Sequence, residues 1–175
     1  MLRHQFAGAD KKGMCRRYLF VLIKHPEIRN IIIMYKHIKN ELLKREVSFR
    51  FEDDAFHFQH PKFPNVLDCI ITEEDGQMRF IADYELLTSA EMDGDKLCSL
   101  INKINYDNDF GNLETDGNGL IVFKLNTFLP DSLSGAKDTF CNALEFFLKK
   151  APQEFRKLEI AVNKIRNQHK EEKSC

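Results

Sequence analysis

His57 and His60 stand close to Asp53 and Asp54, and imidazole beside carboxylate is the raw material of a metal centre or a general-base pair. The spacing works against both. Residues three apart on a strand point to opposite faces, so the two rings converge only if a bulge intervenes. His4, His25, His37 and His169 have no partner at ligand spacing. A second constellation covers residues 114–125, where Asp116, Asn118, Gly119 and Ile121 fall on the third, fifth, sixth and eighth positions of a calcium-binding loop. Glu114 stands where Asp is usual and Leu125 where the bidentate Glu belongs, so the strongest ligand is missing. The third is a pair. If Asp75-Gly76 is the loop of a hairpin, Asp68 lies opposite Asp83, and like charges side by side cost stability unless a cation is near or one carboxyl protonates. A metal could use such a pair; the preferred reading is a Lys or Arg from a neighbouring segment, or solvent screening.

The five cysteines, Cys15, Cys69, Cys98, Cys141 and Cys175, include no C-x-x-C and fit reduced thiols. Cys69, Cys98 and Cys141 lie on periodic apolar segments, where a thiol acts as a small hydrophobe. No P-loop, G-x-G-x-x-G, G-x-S-x-G, H-E-x-x-H or kinase signature is present. No catalytic residue, metal ligand or cofactor is therefore assigned; the absence of these motifs does not exclude an enzyme, but it leaves none to name.

These residues must be carried by a fold that 175 residues can build. With 43% hydrophobic residues, 15 Phe and no Trp, a core needs neither disulfides nor metal. The expected layout is an N-terminal extension over residues 1–25, non-periodic to about residue 13 and with a short helix or an edge strand at residues 18–23, one α+β domain over 26–167, and a polar, flexible tail over 168–175. The apolar run of residues 18–23 is too short for a membrane span and lacks a cleavage site, so a cytoplasmic protein is expected. Net charge is −1, yet residues 1–50 carry 12 Lys and Arg against 4 Asp and Glu, and residues 51–133 carry 5 against 17. Basic helices and an acidic sheet would attract each other within a monomer or between subunits. A nucleic-acid contact through Arg16, Arg17, Lys24, Arg29, Lys36 and Lys39 would need these residues on one exposed face.

Periodicity supplies the elements. From Pro26, a favoured first helical residue, Ile31, Tyr35, Ile38 and Leu42 recur at helical spacing. Residues 48–60 alternate, with Phe49, Phe51, Phe56 and Phe58 around a turn or bulge at Glu52, Asp53 and Asp54. The Asp75-Gly76 hairpin sets Ile71 against Phe80, Cys69 against Ala82 and Leu67 against Tyr84, an apolar face; Thr72 with Arg79, Ile70 with Ile81 and Asp68 with Asp83 make the wetter one. Asp93 caps a helix with a stripe of Leu97, Leu100, Ile101 and Ile104. Next comes a hairpin over residues 111–130, whose three-residue loop Gly117 to Gly119 sets Leu113 opposite Phe123 and Thr115 opposite Ile121. A two-residue Asn118-Gly119 turn would set Leu113 against Lys124 and is rejected. The last helix starts at Ser134 with a seam of Phe140, Leu144, Leu148, Ala151, Phe155, Leu158, Val162 and Ile165. Pro152 cannot donate to the carbonyl of Leu148, so a kink or break is expected near residues 149–151. The sum is an antiparallel sheet of about five strands with helices packed on one side, in the order α-β-β-β-α-β-β-α. Leu120, Val122 and Phe128 fall on the face opposite Ile121 and Phe123 and need a cover: a helix of the same chain, a second subunit, or a client.

That order is the layout of the type III secretion chaperone-like fold. More narrowly, LINKINYDNDFGNLETDGNGLIVFKLNTFLP, followed by Ala143, Leu144, Phe147 and Pro152 on a helix, resembles the YbjN-like family, described as candidate bacterial sensory transduction regulators. There a helix ending in an Ile-Asn element leads to a short strand, a Gly-containing turn, an apolar strand and a Pro-containing helix. The similarity covers about residues 28–165; the first 25 depart from it. The resemblance implies a non-enzymatic regulatory or chaperone-like binding protein with a protein partner or client, and a homodimer as in secretion chaperones of this fold. Such chaperones hold extended client segments against apolar patches, and pairing at a sheet edge would serve. Leu120, Val122 and Phe128 are the partner-binding candidates. Rival readings are a small metal-dependent enzyme built on Asp68, Asp83 and His57, and a nucleic-acid-binding regulator using the basic first third.

Overall fold

A computed structural model of the chain describes residues 26–74, 77–86, 94–115 and 119–172. In order they form α1 (Pro26–Lys44), β1 (Phe49–Glu52), β2 (Ala55–Phe58), β3 (Val66–Glu74), β4 (Gln77–Glu85), α2 (Gly94–Tyr106), β5 (Asn112–Thr115), β6 (Leu120–Phe128) and α3 (Leu133–Glu172). The chain divides into two compact units, Met1–Glu41 and Leu42–Cys175. The first contributes most of α1, with Pro26 as its first residue. The second holds the sheet, with strands in the order β1-β2-β3-β4-β6-β5 and every neighbouring pair antiparallel.

The sheet has six strands where five were expected. Residues 48–60 split into a hairpin that pairs Phe49 with Phe58 and Phe51 with Phe56. Asp53 and Asp54 make its turn with φ of 51° and 60°, the left-handed pair that a two-residue hairpin requires and that Asp tolerates better than most residues. Between β3 and β4 the register sets Ile71 against Phe80, Cys69 against Ala82 and Asp68 against Asp83, as the alternation predicts. It departs at one end. A bulge between Val66 and Asp68 pairs Val66, not Leu67, with Tyr84, so Val66 is fully buried and Leu67 is 48% exposed. In the last hairpin Leu113 lies opposite Phe123 and Thr115 opposite Ile121, the three-residue-loop register, with Gly119 at φ 108°. Asp75, Gly76, Asp93 and residues 116–118 lie outside the described residues.

Alternation sends Cys69, Ile71, Phe80, Ala82, Leu113, Ile121 and Phe123 to one side, where all are buried. Phe140, Leu144, Phe147, Ala151, Phe155, Leu158 and Val162 of α3 close over them, with Leu97 and Ile101 of α2. Phe147 takes the seam place expected of Leu148, because its ring reaches both Phe80 at 5.6 Å and Phe123 at 6.2 Å. Ser132, two residues before the expected start, caps α3 by accepting the Gly135 N–H on Oγ at 3.2 Å.

Pro152 does not break α3. The Leu148 carbonyl that it leaves without a helical donor accepts a hydrogen bond from His60 Nε2 at 2.8 Å. His60 is buried, and its Nδ1 accepts the Lys62 backbone N–H at 3.2 Å. These two bonds define a neutral ring protonated on Nε2, and burial holds its pKa below the ordinary value. Two residues past Pro152, Glu154 is fully buried, with Oε1 2.8 Å from Lys150 Nζ and 2.9 Å from Lys157 Nζ. Asn108 Nδ2 donates to its Oε2 at 3.0 Å, tying the link between α2 and β5 onto α3.

Candidate binding face on the outer side of the sheet

Strand alternation fixes what the other side of the sheet presents. One row runs Arg50, His57, Ile70, Ile81, Lys124 from β1 through β6, and the next runs Asp68, Asp83, Val122, Glu114. Glu85 and Leu120 follow at one end, and Gln77 and Phe128 at the other. Ile70, Ile81, Leu120 and Val122 are half-buried. They adjoin one another across β3, β4 and β6. Phe128 is 76% exposed but stands apart, six residues along the strand from Val122, roughly 20 Å away at strand rise. The structure therefore groups Leu120 and Val122 with Ile70 and Ile81, and leaves Phe128 outside that strip.

The acidic pair expected from the hairpin register is present, and each member has a cation nearby. Arg50 Nη2 donates to Asp68 Oδ2 at 3.0 Å, and His57 Nδ1 lies 2.7 Å from the same oxygen. Asp68 Oδ1 is buried without a hydrogen-bond partner among the described residues. Asp83 makes no hydrogen bond with them. Burial first, then the charge of Asp68, raises its pKa, while His57 and Lys124 pull it back. Lys124 is itself ion-paired with Glu114. Asp83→Asn, which removes the repulsion, is therefore expected to stabilise the fold by about 0.5–1 kcal/mol in urea unfolding at neutral pH.

This geometry does not build a metal centre from the three suspects: His57, Asp68 and Asp83 do not bring their ligand atoms within 4.8 Å of one another, and Asp68 Oδ2 is spent on Arg50 and His57. His57 hydrogen-bonds no hydroxyl or thiol among the described residues that could serve as a nucleophile. His60, on the opposite side, contributes to the core. Of the basic set, Lys36 and Lys39 are exposed on α1 and Arg29 lies on that helix, while Arg16, Arg17 and Lys24 lie outside the described residues. Sequence reasoning missed Arg50, although its place between Phe49 and Phe51 already put it on the wet face. It also left Ile70 and Ile81 out of the aliphatic strip, noting them only as a cross-strand pair.

A cleft of about 430 Å³ opens on the helix side, beside the β3 bulge, lined by Leu67, Tyr84, Leu86, Val162 and Asn163 among others. The Tyr84 hydroxyl donates to Glu159, its ring stacks on Phe155 at 4.7 Å, and burial raises its pKa. That phenol is an anchor between sheet and helix.

The sheet edges are less available than the face. Asn105, in the Ile-Asn element that closes α2, donates to the Leu113 carbonyl at 2.9 Å and accepts the Leu113 N–H at 2.8 Å. One amide thus occupies the outward backbone groups of Leu113 in the edge strand β5. At the other edge β1 is four residues long, and short edge strands are poor templates for pairing.

An open, six-stranded antiparallel sheet with α2 and α3 on one side and a half-apolar outer face defines an α+β protein of the YbjN-like fold. The chain is similar to the crystal structure of YbjN, a candidate transcription regulator from E. coli, at 18% identity and a TM-score of 0.51 over 75% of this chain and 93% of that one. An uncharacterized protein from Methanothermobacter thermautotrophicus is similar at 14% identity and a TM-score of 0.49, over 73% and 97%. At such identities the likeness is one of fold. No family model matches the chain, and no curated protein matches its sequence. No described helix is long and apolar enough to cross a membrane.

Proposed function

We propose that this chain is a non-enzymatic protein-binding module, regulatory or chaperone-like, whose partner covers the outer face of the sheet. One observation carries the reading: Ile70, Ile81, Leu120 and Val122 form a contiguous, half-exposed aliphatic strip on the side away from α2 and α3. An aliphatic strip ringed by charged groups is the anatomy of an interface core and rim. The guarded β5 edge favours docking on the face over strand addition at an edge. A bacterial, cytoplasmic setting suits the reduced thiols of Cys69 and Cys98, and a second copy of the chain is one partner that could supply the cover. YbjN's description as a candidate transcription regulator accords with a regulatory role.

Val122→Lys tests the reading. The new ammonium sits opposite Asp83, so the fold tolerates it, but it places a charge in the centre of the strip. Affinity capture from native cells with both proteins, together with solution mass, is expected to show the specific partner, or the self-association, weakened by about tenfold or more in the variant. Full retention by a folded Val122→Lys protein would exclude this face.

A further inference from the structure

The outer face carries two carboxylates whose hydrogen-bonding capacity the described residues do not fill. Asp68 spends Oδ2 on Arg50 and His57 and leaves Oδ1 without a partner among the described residues. Asp83, directly opposite, bonds to none of the described residues. The basic side chains beside them are already engaged: Arg50 and His57 by Asp68, Lys124 by Glu114. On either side lie Ile70, Ile81 and Val122.

A partner covering this strip has to deal with the pair. A wholly apolar surface would strip water from the Asp83 carboxylate, a loss comparable to the gain from the aliphatic contact. An acidic surface would add repulsion. A lysine or arginine side chain resolves both demands, because its methylene stem packs along aliphatic neighbours while its charged end donates to Asp83. We infer that the partner presents a basic side chain flanked by aliphatic residues, seated over Asp83, with the buried negative charge of Asp68 beside it. This deepens the proposal that the outer face is a docking surface and depends on it.

The experiment uses the full chain as bait for a phage-displayed random dodecapeptide library at neutral pH, with Val122→Lys protein as the counter-selection. Enriched peptides are then titrated by fluorescence anisotropy against wild type, Asp83→Asn and Val122→Lys. The expected peptides carry Lys or Arg between aliphatic residues and bind Asp83→Asn about tenfold or more weakly, a loss of one charge-assisted hydrogen bond. Asp83→Asn meanwhile unfolds at no lower urea concentration than wild type, so weaker binding is not a failure of folding. Peptides that depend on Val122 but lack a basic residue, or bind Asp83→Asn as tightly as wild type, would overturn the inference and leave the docking face standing. If no enriched peptide discriminates against Val122→Lys, the face and the inference fall together.

Discussion

His60→Leu should lower the free energy of unfolding by about 2–3 kcal/mol, and by only about 1 kcal/mol when Pro152 is also replaced by Ala, measured by urea denaturation of the four proteins of the cycle. The loss has a specific origin. In an ordinary helix the N–H of residue 152 would serve the Leu148 carbonyl; proline has none, and the imidazole takes its place at 2.8 Å. Removing the ring strands a carbonyl beside the core, whereas restoring the helical N–H provides another donor. A coupling near zero would mean that Leu148 is satisfied without His60. The same contact gives a pH dependence. The folded-state pKa of His60 lies below its ordinary value, so the unfolded chain binds the proton more readily. Its contribution is complete above about pH 6.5 and is lost as pH falls from there toward the folded-state value, where the loss levels off. The His60→Leu protein should lack that acid-side decline.

Glu154→Ala should cost about 3 kcal/mol, toward the lower end of what breaking a buried ion pair costs, because Lys150 and Lys157 can turn to solvent. Their side chains are 23% and 51% exposed, against 0% for Glu154. The Asn108 amide cannot turn out as readily, so hydrogen exchange should quicken most in residues 108–113. Burial alone would raise the pKa of Glu154, but the hydrogen bonds from Lys150, Lys157 and Asn108 bring it below the ordinary value. Here the unfolded chain again binds the proton more readily, so the stabilisation is present above the unfolded carboxyl pKa and fades as pH falls through the folded one. Glu154→Gln keeps an acceptor for Asn108 and should lose about half as much.

Both predictions concern residues that the sequence did not mark as partners, and the reason is physical. Period-two alternation fixed which side of each strand faces the helices, so the Asp68–Asp83 pairing and the Leu113–Phe123 register were legible before any coordinates. A bulge is a local departure from that period, and nothing in Val66-Leu67-Asp68 announces it. Pro152 correctly identified an orphaned carbonyl at Leu148; the rescue comes from a loop ring 88 residues earlier, which periodicity cannot reach. The interruption at Glu52, Asp53 and Asp54 was legible as a turn or bulge, but two aspartates in left-handed conformation did not decide for a hairpin turn, where glycine or asparagine would have. On the outer face the strip was half legible: Leu120 and Val122 stood out as surplus, but Ile70 and Ile81 join them only through the β3-β4-β6 order, and Phe128 belongs to another part of the surface.

The most direct measurement is the methyl NMR spectrum of the Ile-, Leu- and Val-labelled chain on addition of the captured partner or a selected peptide. Docking on the outer face predicts shift changes at Ile70, Ile81, Leu120 and Val122, with the core methyls of Leu144 and Leu158 nearly still. Changes centred instead on Leu67, Leu86 and Val162, with the four strip residues unmoved, would place binding in the helix-side cleft and contradict the account.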